Sequence, residues 1–207
     1  STVFLSLAGR RPSMAGRTVV EDTFTHSGDR GLASLLLDVI RFTFVIEGVG
    51  TLFLFFRFLP GHSISEAFYL AIFHAISAFC NSGFSLFTDS MMGYRKDWVV
   101  NLVVCSLIVL GGIGFLVLAE LKRHFPFHRR TWSRLSLHSH IALTTTAILI
   151  GCGMVLIFLL ERHNTLSTLP FYEKFLSSFF QSVTARTAGF HTLPIGEMAE
   201  ASLLIFI

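Results

Sequence analysis

Two short stretches carry residue types suited to one kind of chemistry, the coordination of a dehydrated cation by main-chain oxygens. FCNSGFS occupies 79–85 and ARTAGFH occupies 185–191. Each follows an apolar segment too short to cross a membrane, and each contains a small residue, then Gly and Phe. A helix that ends inside a membrane leaves its last carbonyls unpaired, with the negative end of its dipole inward. Irregular backbone at that depth is tolerated only where it lines a water-filled cavity or is buried in protein. The following residues can run extended and aim carbonyls at an ion that has shed its water. Gly permits the backbone angles this requires. No charged side chain is needed, and neither Cys-Asn-Ser-Gly-Phe nor Thr-Ala-Gly-Phe holds one. A single Gly followed by an apolar residue is also an ordinary helix C-cap. The recurrence of the pattern on a second short helix is what favours an ion site.

The elements that must position these stretches are apolar. The chain has 207 residues, 52% hydrophobic and 14% charged, against about 25% charged in soluble domains. That composition implies a protein surrounded by membrane lipid. The net charge is +3, and the basic residues flank apolar runs. A nucleic-acid binder would gather them on one polar face, so no nucleic-acid partner is expected. Cys80, Cys105 and Cys152 are odd in number and lack CxxC spacing, which reads as small buried hydrophobes and not as a disulfide or zinc framework. The frequent Phe are expected to face lipid or pack.

Apolar runs mark spans at Leu32–Leu59, Trp98–Leu121 and Leu137–Leu160, with a fourth starting at Met198. Between them lie two shorter segments, Ile64–Phe79 and Phe171–Thr184. A helix of that length reaches only about 20 Å, whereas the hydrocarbon core is about 30 Å thick. Each is expected to enter the membrane and return. Ser63-Ile-Ser-Glu66 has capping-box spacing, and Pro170 suits a first helical turn. The chain opens on Ser and stops within ASLLIFI, so it is expected to be a piece of a longer polypeptide.

Basic residues set the orientation. Segments 1–31 and 122–136 hold nine Lys/Arg, and the loops on the other side hold five, Arg95, Lys96, Arg162, Lys174 and Arg186, over more chain. The positive-inside rule places the first pair in the cytoplasm, and both short helices then dip in from outside.

The order repeats. With Gly83 laid over Gly189, an offset of 106, Phe84 meets Phe190, Phe73 meets Phe179, and 31–55 meets 137–161. The organisation is then 1–31, the end of a preceding repeat with a cytoplasmic linker; 32–121, a full span–short helix–span unit; 122–136, a basic loop; and 137–207, a following unit cut in its second span.

FHAISAFCNSGFSLF (73–87), SLIVLGGIGFLVLAEL (106–121) and FFQSVTARTAGFHTLPIGE (179–197) resemble the Trk/Ktr/HKT superfamily of potassium and sodium transporters. The resemblance covers nearly the whole chain. It implies an all-α membrane protein of repeated span–re-entrant helix–span units around a pseudo-fourfold ion pore, of which this chain carries two filter segments. It further implies that the backbone carbonyls of Cys80, Asn81, Ser82 and Gly83 line one quadrant and those of Arg186, Thr187, Ala188 and Gly189 another, supported by Phe84 and Phe190. Family members with Gly at the key position conduct potassium, and Ser in one repeat goes with sodium preference in some plant members. The implied activity is potassium uptake down the electrochemical gradient, with potassium as substrate, no cofactor and no enzymatic reaction. The implied partners are a cytosolic nucleotide-binding regulatory subunit, on the side of the basic loop, and a second copy of the full-length chain. The implied location is the plasma membrane, the inner membrane in a bacterium.

Several residues carry a second reading. Arg186 would repel a cation in the filter, so its side chain is expected to turn away and pair with a carboxylate or helix-end carbonyls. Glu47 is an intramembrane carboxylate, a functional candidate by default, and is expected to be a paired or protonated structural group. Asn81 is expected to act through its backbone, with its side chain free to brace the neighbouring strand. Gly111-Gly112-x-Gly114 is expected to serve close packing, with a hinge as the alternative. His138-x-His140 lacks further ligands for a metal. Two other functions stay open on sequence: a membrane haem or quinone oxidoreductase using His74, Glu47 or His163, and a non-conducting structural subunit.

Overall fold

The computed structural model describes residues 32–123 and 135–204. The expected leader 1–31, most of the basic loop and the continuation of the fourth span lie outside these residues. Contacts divide the chain into two compact units, Ser1–Val45 and Ile46–Ile207. Helix α1, Leu32–Phe58, starts in the first unit and ends in the second; all that follows concerns the second.

The elements are helical. After α1 come α2 (Ile64–Phe79), α3 (Trp98–Ile113), α4 (Phe115–Arg123), α5 (Leu137–Glu161), α6 (Phe171–Thr184) and the short α7 (Glu200–Leu203). Among the described residues, α1 and α5 are each long and apolar enough to cross a membrane, and α3 with α4 makes a third such span if counted as one broken helix. Both long helices expose large apolar side chains, among them Phe53, Phe56, Ile148 and Val155. In lipid that exposure carries no hydrophobic penalty.

The short helices start and stop on local chemistry. Leu59-Pro60-Gly61 closes α1 in a single 3-10 turn. Ser63 then caps α2, its hydroxyl accepting from the Glu66 N–H at 3.4 Å. The buried face of α2 runs Ala67, Leu70, Ala71, His74, Ala75 and Ala78, spacings of three and four that put small side chains against α3. Asp97 caps α3 by accepting from Val99 and Val100 N–H at 3.0 and 3.2 Å, and also receives the Arg57 guanidinium from the end of α1. Pro170 stands at the N-cap of α6, one place before the first turn expected for it. Helix α6 packs on α5 and on α3, and so joins the two repeats.

One expected element differs in form. Trp98–Leu121 is not one straight helix: α3 and α4 meet at 103°. Gly114, with φ of +93° and nothing within 4 Å of a Cβ, makes the break. Apolar composition does not report this, because the apolar run continues through Leu118 on both sides of a residue free to adopt left-handed angles. Close packing holds instead at Gly111, where a Cβ would come 1.8 Å from the Phe79 carbonyl oxygen at the end of α2. Beyond the bend, Glu120 accepts from the Ser136 N–H at 2.6 Å and from its hydroxyl at 2.7 Å. This ties the end of α4 to the start of α5, where a carboxylate is favoured by the helix dipole.

The glycines differ in what a side chain would meet, which gives a direct test. In the full-length protein, Gly111→Ala is expected to lower the unfolding midpoint in detergent by roughly 5–10 °C, about 2–3 kcal/mol of overpacking. Gly48, with nothing within 4 Å of a Cβ, should accept Ala with a change of about 2 °C or less. Equal midpoints for the two variants would contradict the packing of α3 on the end of α2.

Candidate functional site

The two stretches singled out in the sequence have the same local form. At the end of α2 the Cys80 N–H donates to Ile76 O at 2.9 Å and the Asn81 N–H to Ala78 O at 3.2 Å. At the end of α6 the Ala185 N–H donates to Gln181 O at 3.0 Å and the Arg186 N–H to Val183 O at 3.2 Å. Left-handed φ angles then fall on alternate residues: +52° and +70° at Asn81 and Gly83, +78° and +80° at Thr187 and Gly189. These are the same positions at the offset of 106 seen in the sequence. An extended strand points successive peptides to opposite sides, and a left-handed residue at every second place breaks that alternation. Thr187 is β-branched, so its angle costs about 1–3 kcal/mol that its surroundings must hold in place.

The helix below each loop holds its outer end. Ser77 Oγ donates to Phe84 O at 2.7 Å, and Thr184 Oγ1 donates to Phe190 O at 2.7 Å. The Ser82 N–H donates to Ser77 O at 3.0 Å and the Ala188 N–H to Thr184 O at 3.0 Å. Neither hydroxyl was singled out in the sequence. The repeat offset hides them, because Ser77 and Thr184 are 107 apart where the glycines are 106 apart.

The loops meet main chain to main chain. A Cβ at Gly83 would come 2.3 Å from Ala188 O, and a Cβ at Gly189 would come 3.2 Å from the Gly83 Cα. Cys80, Ser82, Thr187 and Gly189 are exposed beside this contact, Gly83 is half-buried, and Ala188 is buried. Phe190 is fully buried in the core, whereas Phe84 is 70% exposed and borders an apolar groove with Phe68, Tyr69, Ile72, Phe73 and Ile76. Of the two expected supports, only Phe190 packs among the described residues.

The side chains with second readings are placed as follows. The Asn81 amide, oriented to satisfy both its ends, donates to Ile108 O at 3.2 Å and Ala78 O at 3.3 Å. It braces α3 and its own helix, not the neighbouring strand. Arg186 is half-buried and, among the described residues, has neither the carboxylate nor the carbonyl partner expected for it. Glu47 is half-buried in α1 without an ion-pair partner among the described residues. His74 is fully buried, and both ring nitrogens are engaged: Nδ1 with Leu70 O at 2.7 Å, Nε2 with Ser85 Oγ at 3.1 Å and the Leu86 N–H at 3.3 Å. His163 Nε2 accepts from Arg162 Nε at 2.8 Å. No group of three or more His, Cys, Asp or Glu side chains among the described residues is placed to hold a metal ion.

Two buried carboxylates escaped the sequence reading. Glu161 ends α5 fully buried, and its oxygens accept from Thr165 Oγ1 at 2.7 Å, Asn164 Nδ2 at 3.0 Å and the Ala199 N–H at 2.8 Å. Those donors offset an unfavourable position at a helix C-terminus. Glu173, in the first turn of α6, lies 3.5 Å from Arg95 and 3.7 Å from Lys96. The Met91 N–H donates to His191 O at 3.0 Å, and the His191 N–H donates to Ser90 Oγ at 3.2 Å. The loop before α3 therefore holds the segment that follows Gly189.

Comparison with known proteins gives this arrangement a relationship. Residues 17–207 match the model of the family described as TrkH, cation transport protein. The chain is 36% identical to the Ktr system potassium uptake protein B of Vibrio alginolyticus, over 100% of this chain and 45% of that protein. It is 35% identical to the Ktr system potassium uptake protein B of Bacillus subtilis, over 99% and 45%. It is 32% identical to the potassium/sodium uptake protein NtpJ of Enterococcus hirae, over 98% and 44%. The chain thus spans less than half the length of these relatives.

The tie from α6 to the second loop can be measured alone. Thr184→Val leaves the buried Phe190 carbonyl without its donor, a loss of about 1–3 kcal/mol. It should lower the unfolding midpoint of the full-length protein by roughly 2–8 °C, and Thr184→Ser should restore it. An unchanged midpoint for Thr184→Val would mean that the hydroxyl does not hold the loop.

Proposed function

The chain belongs to the TrkH family of cation transport proteins, and from that premise we propose that the full-length protein takes up potassium across the plasma membrane through a ring of backbone carbonyls. Cys80 to Gly83 and Arg186 to Gly189 would be two adjacent quadrants of that ring, with the rest supplied by chain beyond these residues. The observation that carries the proposal is the meeting of Gly83 and Gly189. Two loops far apart in sequence share left-handed angles at matching places and touch through backbone alone.

An ion entering from outside would exchange its hydration shell for carbonyl oxygens, at the negative ends of α2 and α6. An inside-negative potential supplies about 2.3 kcal/mol per charge per 100 mV, enough to drive uptake without a cofactor. The protein in this reading is a transporter and not an enzyme. The oxidoreductase alternative loses its main ligand candidate, since both nitrogens of His74 are spent on neighbours. Gly in both visible quadrants favours potassium over sodium. The proposal extends to a cytosolic nucleotide-binding regulatory subunit against the basic loop 122–136, and to pairing of two full-length chains.

The test is growth of a potassium-uptake-deficient bacterium on low-potassium medium, with membrane abundance matched between variants. The wild-type full-length protein should restore growth. Gly83→Ser should reduce uptake by about tenfold or more, from left-handed strain of about 1–2 kcal/mol together with a collision with Ala188 O. Gly189→Ser, with its nearest atom at 3.2 Å, should be the milder variant and raise sodium sensitivity. A well-expressed wild type that fails to restore growth, with or without its regulatory partner, would end the uptake reading. Full activity in both serine variants would keep uptake and remove the filter from these glycines.

A further inference from the structure

We propose that His74 is a positioning residue that fixes the outer end of the first carbonyl loop, and with it the ion preference, through the acceptor lone pair on Nε2. The inference rests on the filter reading above.

The ring's tautomer follows from its partners. Leu70 O can only accept, so Nδ1 carries the proton and donates at 2.7 Å. The Leu86 N–H can only donate, so Nε2 is an acceptor for it at 3.3 Å, and for the Ser85 hydroxyl at 3.1 Å. The ring lies flat on Phe87, with centroids 4.7 Å apart and planes 14° apart, and edge-on to Phe58 at 5.9 Å. It is wholly buried, so its rotamer is fixed and no water replaces its bonds. Ser85 and Leu86 come directly after Phe84, whose carbonyl is held by Ser77. Six polar contacts from α2 therefore grip residues 82–86, and two of them end on His74.

The second repeat holds its loop by other means. His74 falls on Phe180 at the glycine offset of 106 and on Gln181 at the Ser77–Thr184 offset of 107; both are fully buried, and among the described residues neither makes a side-chain hydrogen bond to the second loop. The second loop does not need one, because Ser90 and Met91 hold His191 from outside the repeat. The first loop receives no such bond from the described part of the second, so its outer end depends on its own helix.

The experiment separates ring from acceptor in the full-length protein, reading the ratio of rubidium to sodium uptake in potassium-uptake-deficient cells. His74→Phe keeps the ring and its stacking without nitrogen. His74→Gln places an amide oxygen near Nε2, and His74→Asn reaches only the Nδ1 position. His74→Phe and His74→Asn should lower the ratio about fivefold, the equivalent of one buried hydrogen bond, and His74→Gln should hold it near wild type. A wild-type ratio in His74→Phe with a loss in His74→Gln would assign His74 to packing and overturn the proposal. Where His74→Phe fails to reach the membrane, Gln and Asn decide: equal ratios overturn the proposal. Gly83→Ser is measured beside them. A changed ratio there with none in the His74 series refutes the role of His74 alone, and no change in any variant refutes the filter as well.

Discussion

Two main chains touch at Gly83 and Gly189, and the second unit is arranged to keep that contact bare of side chains. A Cβ at Gly83 would stand 2.3 Å from a carbonyl oxygen, which no rotamer change could relieve, because the obstruction is backbone. The constraint spreads outward. Loops that close need helices that end beneath them, so α2 and α6 stop short of a full span. Helices that stop must have their last turns covered, which is why Gly111 lies against Phe79 O and why Ser182 Oγ reaches Ile150 O at 2.7 Å, with Gly153 beside it. Gly111 and Gly153 are spacers for the ends of the short helices.

The two loops share a conformation but not a means of support. The first is gripped by its own helix through Ser77 and His74. The second is tied to its helix through Thr184 and to the first repeat through Ser90 and Met91. The dependence therefore runs one way: the second loop leans on the first repeat. Ionic contacts sit at helix ends, with Arg57 on Asp97 and Glu173 between Arg95 and Lys96. A partly exposed pair such as Arg57 with Asp97 contributes only about 0–1 kcal/mol. Its use is to fix where a helix begins, since Asp97 also caps α3. Arg186 lies within the second of the two loops, and there it is the backbone that takes part in the proposed ring.

Helix limits were legible because they are written in local chemistry. Ile64–Phe79 and Phe171–Thr184 match the expected bounds, with Ser63 and Pro170 at their starts. The repeat was legible through a few identities and the order of elements. The break at Gly114 was not, since apolarity reports whether a segment prefers lipid and not whether it is straight. The left-handed angles at Asn81 and Thr187 were also hidden. Thr disfavours that region, so only tertiary contacts can put it there. The burial of Glu161 and Glu173 was not legible, because it depends on which loop folds over them.

The unequal exposure of Phe84 and Phe190 bears on how the proposed ring would close. The two residues are equivalent in the repeat, follow equivalent glycines and are held by equivalent hydroxyls, yet one is 70% exposed and the other not at all. Local structure cannot account for this, so the difference lies in what stands beside each loop. Phe190 is packed in the core that α2, α3 and α6 build together. Phe84 faces away from that core, over a groove lined by Phe68, Tyr69, Ile72, Phe73 and Ile76. Two adjacent quadrants of a four-sided ring have one inner seam and two open flanks. Phe190 and Phe84 have the burial of a seam residue and a flank residue, as the order of repeats in the proposed ring requires.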